Sequence, residues 1–207
     1  MKFIKILIIG FVIVLNSNAY SKELSYTLED QIEILNEFGI SLNENVTIDD
    51  LLYSFDREAY ESKPFDLILH VYGIDIEREP WGRKISNSAW NFDVECIEDN
   101  GSYINIVKNV ARISDNEENL TNIQDSVNFE TEEAWVSYSI NGKEKHYNAK
   151  FDNDWADPTT VLSIMSDLTE NGFSFYAKDN GQASIWFYLD DKTAKKLNKY
   201  SNNSLVN

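Results

Sequence analysis

Asn141-Gly142 constrains the fold of this chain more than any other pair of residues. A two-residue type I′ hairpin turn needs positive φ at both central positions, and Asn-Gly is the pair that tolerates it best. Placing the turn there fixes the register on either side: Val136 faces Tyr147, and Tyr138 faces Lys145. One face then collects Ala134, Val136, Tyr138, Ile140, Tyr147, Ala149 and Phe151. The other carries Trp135, Ser137, Ser139, Glu144, His146 and Asn148. A half-buried antiparallel sheet alternates in this way. A second hairpin, Phe173–Lys178 with Ala183–Leu189, turns around Asp179-Asn180-Gly181. Phe173, Phe175, Trp186 and Tyr188 share one of its faces, and Tyr176, Ile185, Phe187 and Leu189 share the other. Both faces are apolar, so this hairpin is either covered on both sides or exposes an adhesive patch.

The rest of the chain alternates with these strands. Thr27-Leu28-Glu29-Asp30 and Thr47-Ile48-Asp49-Asp50 are helix starts of the capping-box kind, with Asp in the place of Glu. Gly39 closes the first helix. Pro64 opens a third apolar segment, Phe65 to Val71, which reads equally as a helix or a buried strand. Glu79-Pro80-Trp81-Gly82-Arg83 is a turn-rich join. Trp90–Cys96 alternates as a strand with Trp90, Phe92, Val94 and Cys96 on one face. Asn100-Gly101-Ser102 starts a helix with the stripe Tyr103, Ile106, Val107, Val110 and Ile113. Ser114 to Asp125 is polar and without period, a long loop and the boundary if the chain forms two lobes, 24–113 and 126–200. Asp157-Pro158 places an N-cap and a first-turn proline before a helix with the stripe Val161, Leu162, Met165 and Leu168. A last helix holds Ala194, Leu197 and Tyr200, and residues 201–207 are expected to fray. The fold class is α+β: a helical N-terminal part, then an antiparallel sheet of hairpins with interleaved helices, in one domain over 20–200.

The N-terminus carries its own message. Lys2 and Lys5 precede an apolar run, Ile6 to Leu15, and Ser17-Asn18-Ala19 follows. This is the layout of a secretory signal peptide over 1–19, cleaved between Ala19 and Tyr20. The run is too short for a membrane span, which needs about 20 residues. Tyr20 and a lone Cys96 leave no cysteine for lipid attachment at the new N-terminus. The expectation is a periplasmic or secreted protein with neither membrane span nor lipid anchor.

The chain has 35 acidic and 18 basic residues, a net charge of −17. Cleavage removes two lysines and no acid, which leaves −19. That charge repels the phosphates of nucleic acids and of anionic membranes, and it favours basic partners or cations. One cysteine makes no internal disulfide, so packing must hold the fold. Cys96 reads as a small buried apolar side chain, because no histidine stands near it to act as a base.

Few residues suggest chemistry. Asp152 and Asp154, in Phe151-Asp152-Asn153-Asp154-Trp155-Ala156-Asp157, offer hard oxygens to Ca²⁺. The EF-hand template fails, since Asp157 stands where its glycine belongs and Ser163 where its glutamate belongs. The alternative is a strand end passing into a helix capped by Asp157. Of the two histidines, His70 reads as a satisfied core residue and His146 as solvent-facing. No serine in a nucleophile elbow accompanies either, and no cofactor is called for. Two carboxylates alone can hydrolyse a glycoside, but nothing in the spacing selects a pair. For partner binding the candidates are Trp81, Arg83, Trp135 and Tyr176. Trp81 with Arg83 is either an aromatic–cation anchor for an interface or a local turn with Trp81 tucked inward.

The strings Trp90-Asn91-Phe92-Asp93-Val94-Glu95-Cys96-Ile97-Glu98, Glu79-Pro80-Trp81-Gly82-Arg83 and Asp154-Trp155-Ala156-Asp157-Pro158 resemble a family of small, poorly characterised exported bacterial proteins. That resemblance covers most of the chain from Leu24 to Tyr200 and implies no activity or site. In general character the chain is similar to immunity proteins of interbacterial toxin systems. The expected function is therefore an exported, acidic, non-enzymatic binding protein, an inhibitor of a basic toxin domain. Its rivals are a carboxylate-dependent hydrolase of the cell envelope and a cation-binding envelope protein.

Overall fold

A computed structural model describes residues 25–207; the signal segment and the Ala19/Tyr20 cleavage position lie outside the described residues. Four short helices come first: α1 (Leu28–Glu37), α2 (Ile48–Ser54), α3 (Arg57–Ser62) and α4 (Leu67–Val71). Thr27 and Asp30 bond each other reciprocally at the start of α1, the capping box expected there. The segment open to two readings is helical, as α4. Strand β1 (Ala89–Asp93) and helix α5 (Ser102–Ile113) lead into the hairpins β2 (Leu120–Asn128), β3 (Glu133–Ile140) and β4 (Lys143–Ala149). Helix α6 (Pro158–Asp167), β5 (Phe173–Asn180), β6 (Ala183–Asp190), α7 (Asp191–Tyr200) and β7 (Leu205–Val206) complete the α+β chain.

The strands form two antiparallel sheets, β1-β6-β5-β7 and β2-β3-β4. The β3–β4 register pairs Val136 with Tyr147 and Tyr138 with Lys145, as the Asn-Gly turn requires. In the second hairpin Phe175 pairs with Tyr188, and Tyr176 with Phe187. This hairpin is the central layer of the molecule. Ile185, Phe187 and Leu189 pack against Leu28, Leu35, Ile68, Leu69 and Tyr72 of the helical part, with Leu197 of α7. On its other face Phe175, with Trp186 and Tyr188, meets Tyr103 and Val110 of α5, Ile164 and Met165 of α6, and Tyr138 of β3. Two cores thus share one hairpin, and its double apolar face is accounted for.

Several expectations are corrected here. The cores do not divide the chain at 113/126: α5 belongs with the hairpins after it, and β5, β6 and α7 return to the N-terminal helices. Half of Ser114–Asp125 is strand and not loop, because β2 begins at Leu120. Its period is hidden by its position: β2 is an edge strand whose outward residues are polar, and its inward Asp125 serves α5. Gly101 opens α5 with no side chain to cap it, and Asp125 accepts from the N–H groups of Gly101 (2.8 Å) and Ile104 (3.1 Å) instead. The strand at Trp90 ends at Asp93, whose carboxylate accepts from Glu95 N–H and turns the chain. Val94 and Cys96 still pack, partly buried, against the core. Leu162 is 60% exposed, and Ile164 takes its expected place, since 161, 164, 165 and 168 share one helical face. The tail does not fray throughout: Leu205 is buried, and β7 pairs with β5 through Ala177 and Lys178. Among the described residues no helix is long and apolar enough to cross a membrane.

Candidate functional site

The join that carries Trp81 and Arg83 is a rigid projection. Asp75 bridges Lys84 in an isolated ladder, and Ile76 N–H donates to Arg83 C=O at 2.7 Å. Its anchor is Asp50 on α2, whose carboxylate is only 3% exposed. One oxygen accepts from the Thr47 N–H (2.8 Å) and hydroxyl (2.9 Å). The other accepts from Arg78 Nε (2.9 Å) and from Arg83 Nη2 (3.2 Å), and Arg78 Nη2 completes the ion pair at 2.7 Å. Burial opposes ionisation, but these hydrogen bonds win and hold the Asp50 carboxyl far below the usual carboxylate range. Arg83 also donates to Pro80 C=O and Asn45 C=O, and its side chain is 15% exposed.

The expected roles are therefore inverted. Arg83 is not an exposed interface anchor: it is tied inward and positions the loop. Trp81 is not tucked in: it stands 68% exposed at the tip. Tyr53 is 59% exposed, with Arg78 over its ring at 5.6 Å. The other two candidates lie elsewhere. Trp135 sits on the outer face of the three-stranded sheet with its ring 5.5 Å from His146. Tyr176 is partly buried under the N-terminal helices and donates to Asp191 at 2.9 Å. The four do not form one patch.

A surface that sequence order disguises lies at the other end. Val127 N–H donates to the Asn100 side chain (2.7 Å), Ile97 N–H to Asp154 C=O (3.0 Å) and Ala156 N–H to Val94 C=O (2.8 Å). The rings of Phe129 and Phe151 meet edge to face at 5.3 Å. These contacts gather three loops at one end of the β2-β3-β4 sheet. The first carries Asp93, Glu95, Glu98 and Asp99, the second Glu130, Glu132 and Glu133, and the third Asp152 and Asp154. Lys150, 3.8 Å from Asp152, is the one cation in these loops. Phe129 and Trp155 stand exposed among the carboxylates. Asp152 and Asp154 thus belong to a broad acidic surface, and among the described residues no group of three or more His, Cys, Asp or Glu is placed to hold a metal ion. The signal available in the sequence was the acidic loop itself; its convergence with the other two depends on the sheet.

Elsewhere several ionisable groups are tied into structural contacts. Asp167 accepts from Tyr138 (2.9 Å), Tyr147 (2.7 Å) and Lys145, clamping α6 to the sheet. Burial works against its charge, yet Lys145 and the two tyrosines keep its pKa below the ordinary value. The displaced carboxylates Asp50, Asp157 and Asp167 all move down, whereas a carboxylic general acid needs a raised pKa. Burial, with Asp93 nearby, pushes the Cys96 thiol up to about 11. His70 is pushed down by burial and by Lys178, and its Nδ1 is buried without a partner, so it is not the satisfied core histidine expected. Comparison with known protein families, with curated proteins and with solved structures finds no match to this chain.

Proposed function

We propose that this chain is an exported, non-enzymatic binding protein that holds a basic protein partner, an inhibitor of the kind that neutralises a basic toxin domain. The acidic end carries the reading: three loops bring a large carboxylate excess together around exposed Phe129 and Trp155. Like charges on that scale steer a cationic surface towards them and raise its association rate by about 10- to 1000-fold. The aromatic rings supply the desolvated anchors that charge alone does not. The acid–aromatic combination also matches a partner whose cleft binds phosphate or nucleic acid, since an acidic protein occupies the same field.

The test uses the chain from Tyr20 onward and the product of the adjacent gene. Binding is followed by calorimetry at two salt concentrations, beside a variant carrying Glu130→Lys, Glu132→Lys and Asp152→Lys. The proposal requires binding that weakens with salt and is lost by at least about tenfold in the variant. No binding, or binding indifferent to the three reversals, overturns it. Mass spectrometry of the periplasmic fraction tests export, through a mature chain that begins at Tyr20.

A further inference from the structure

The outer face of the β2-β3-β4 sheet is a second surface, unlike the acidic end in chemistry. Antiparallel sheets commonly show water a polar face, so polarity alone says nothing. Three further features do. The face is concave, with an indentation of about 580 Å³ whose lining includes Asn122, Gln124, Ser137, Glu144, Lys145 and His146, within the range of small-ligand sites. The curvature comes from a bulge between Thr121 and Gln124, where one extra residue enters β2 and Asn122 takes φ 54°. Bulges re-aim side chains, and here Asn122 is turned to within 3.5 Å of Ser139 Oγ. Finally, Trp135 lies on this solvent face two residues from Ser137, tilted 31° against the His146 ring.

The donors and acceptors of the indentation are short amides and hydroxyls. Among the described residues the side chains of Gln124 and Ser137 make no hydrogen bond within the protein, so both remain free for a ligand. Such groups donate and accept at once, which is what vicinal hydroxyls require. A phosphate is poorly served: the Lys145 ammonium is held behind the sheet by Asp167, and Glu144 repels an anion. In a chain of net charge −17, this indentation holds one carboxylate, Glu144, and one lysine, Lys145, that Asp167 already neutralises, and so complements a neutral ligand. The Trp135–His146 platform suits the apolar face of a saturated ring.

We infer that this concavity binds a neutral saccharide, its hydroxyls on Gln124, Ser137, Glu144 and Asn122 and its ring face on Trp135 and His146. The site is independent of the acidic end. The test is amide and indole NMR of the ¹⁵N-labelled chain titrated with chitotriose, cellotriose and maltotriose in turn. At least one must shift the amides of 122–124, 135–139 and 144–148 and the Trp135 indole, leaving 93–99 and 150–156 unmoved. Trp135→Ala and Gln124→Ala, both surface changes, should each weaken that binding by about tenfold while the remaining spectrum stays dispersed. No perturbation by any of the three sugars, or perturbation that survives both substitutions, overturns the inference. So does a basic peptide that shifts this face in place of the acidic end, which would make it part of the protein interface.

Discussion

Asp50→Asn is the sharpest test of how the Trp81 loop is held. The substitution keeps the side chain's shape and removes its charge. Two sets of donors meet the carboxylate, Thr47 on one oxygen and the arginines on the other. An amide has one oxygen, so one set must face an NH₂ group. Breaking a buried ion pair from one side costs about 3–5 kcal/mol, because the remaining charge is stranded. Arg78 is 34% exposed and regains water, whereas Arg83 at 15% does so poorly. The lower end of that range therefore applies, about 3 kcal/mol. At about 2–4 °C per kcal/mol for a domain of this size, the melting temperature should fall by about 6–12 °C. Differential scanning calorimetry reads it directly, and hydrogen exchange should quicken at residues 77–83. The pH dependence has a fixed sign. Asp50 titrates below its ordinary value of 3.8, so its contribution is complete above that value and is lost as pH falls below it. The gap between wild type and variant should stay constant from about pH 5 to 8 and close below about pH 4. A melting temperature within about 2 °C of wild type near neutral pH, less than about 1 kcal/mol, would refute the reasoning.

Four other substitutions separate the remaining interactions. Asp167→Asn should bring Tyr147, pushed up to about 12 by burial and then by Asp167, back towards 10.0 in an absorbance titration. Wild-type stability should accordingly fall between those two values as pH rises, and fall less in the variant. On α6, Ile164→Ala should cost about 2–5 kcal/mol in urea unfolding while Leu162→Ala stays within about 0.5 kcal/mol; equal costs would contradict the observed helix face. Gly73→Ala puts a Cβ 2.8 Å from Ile185 Cγ2 and 3.0 Å from Asn91 N, and should cost about 1–3 kcal/mol, with shifted β1 and β6 amides in NMR. An unchanged spectrum would mean that the helical layer sits farther from the sheet.

What the sequence made legible was local. The Asn141-Gly142 turn, the Thr27 and Asp157 caps and the double apolar face of β5–β6 all rest on neighbours within a few residues. Chain-distant partners hid the rest. β2 reads as loop because Asp125 occupies an inward position that a hydrophobic residue would mark. The carboxylate is there to cap a helix whose own N-cap residue is a glycine. The tail reads as frayed because Leu205 and Val206 are too few to show a period, yet the free edge of β5 offers them a ladder.

The same distinction governs the surfaces. Trp81 and Arg83 stand two residues apart in one turn, and composition gives no reason to separate them. Asp50, more than thirty residues away in sequence, separates them by drawing Arg83 inward and leaving Trp81 outside. A carboxylate that reads as a helix cap turns out to fix a loop, because an α2 carboxylate buried beneath two arginines is stable only if both stay. The acidic end is built in the same way. Each of its three loops is an ordinary solvated turn when read alone. Two backbone pairings between 94–97 and 154–156, and one edge-to-face ring pair, make them a single field. The acidic surface of this protein therefore resides less in any motif than in which turns the fold brings to the same end.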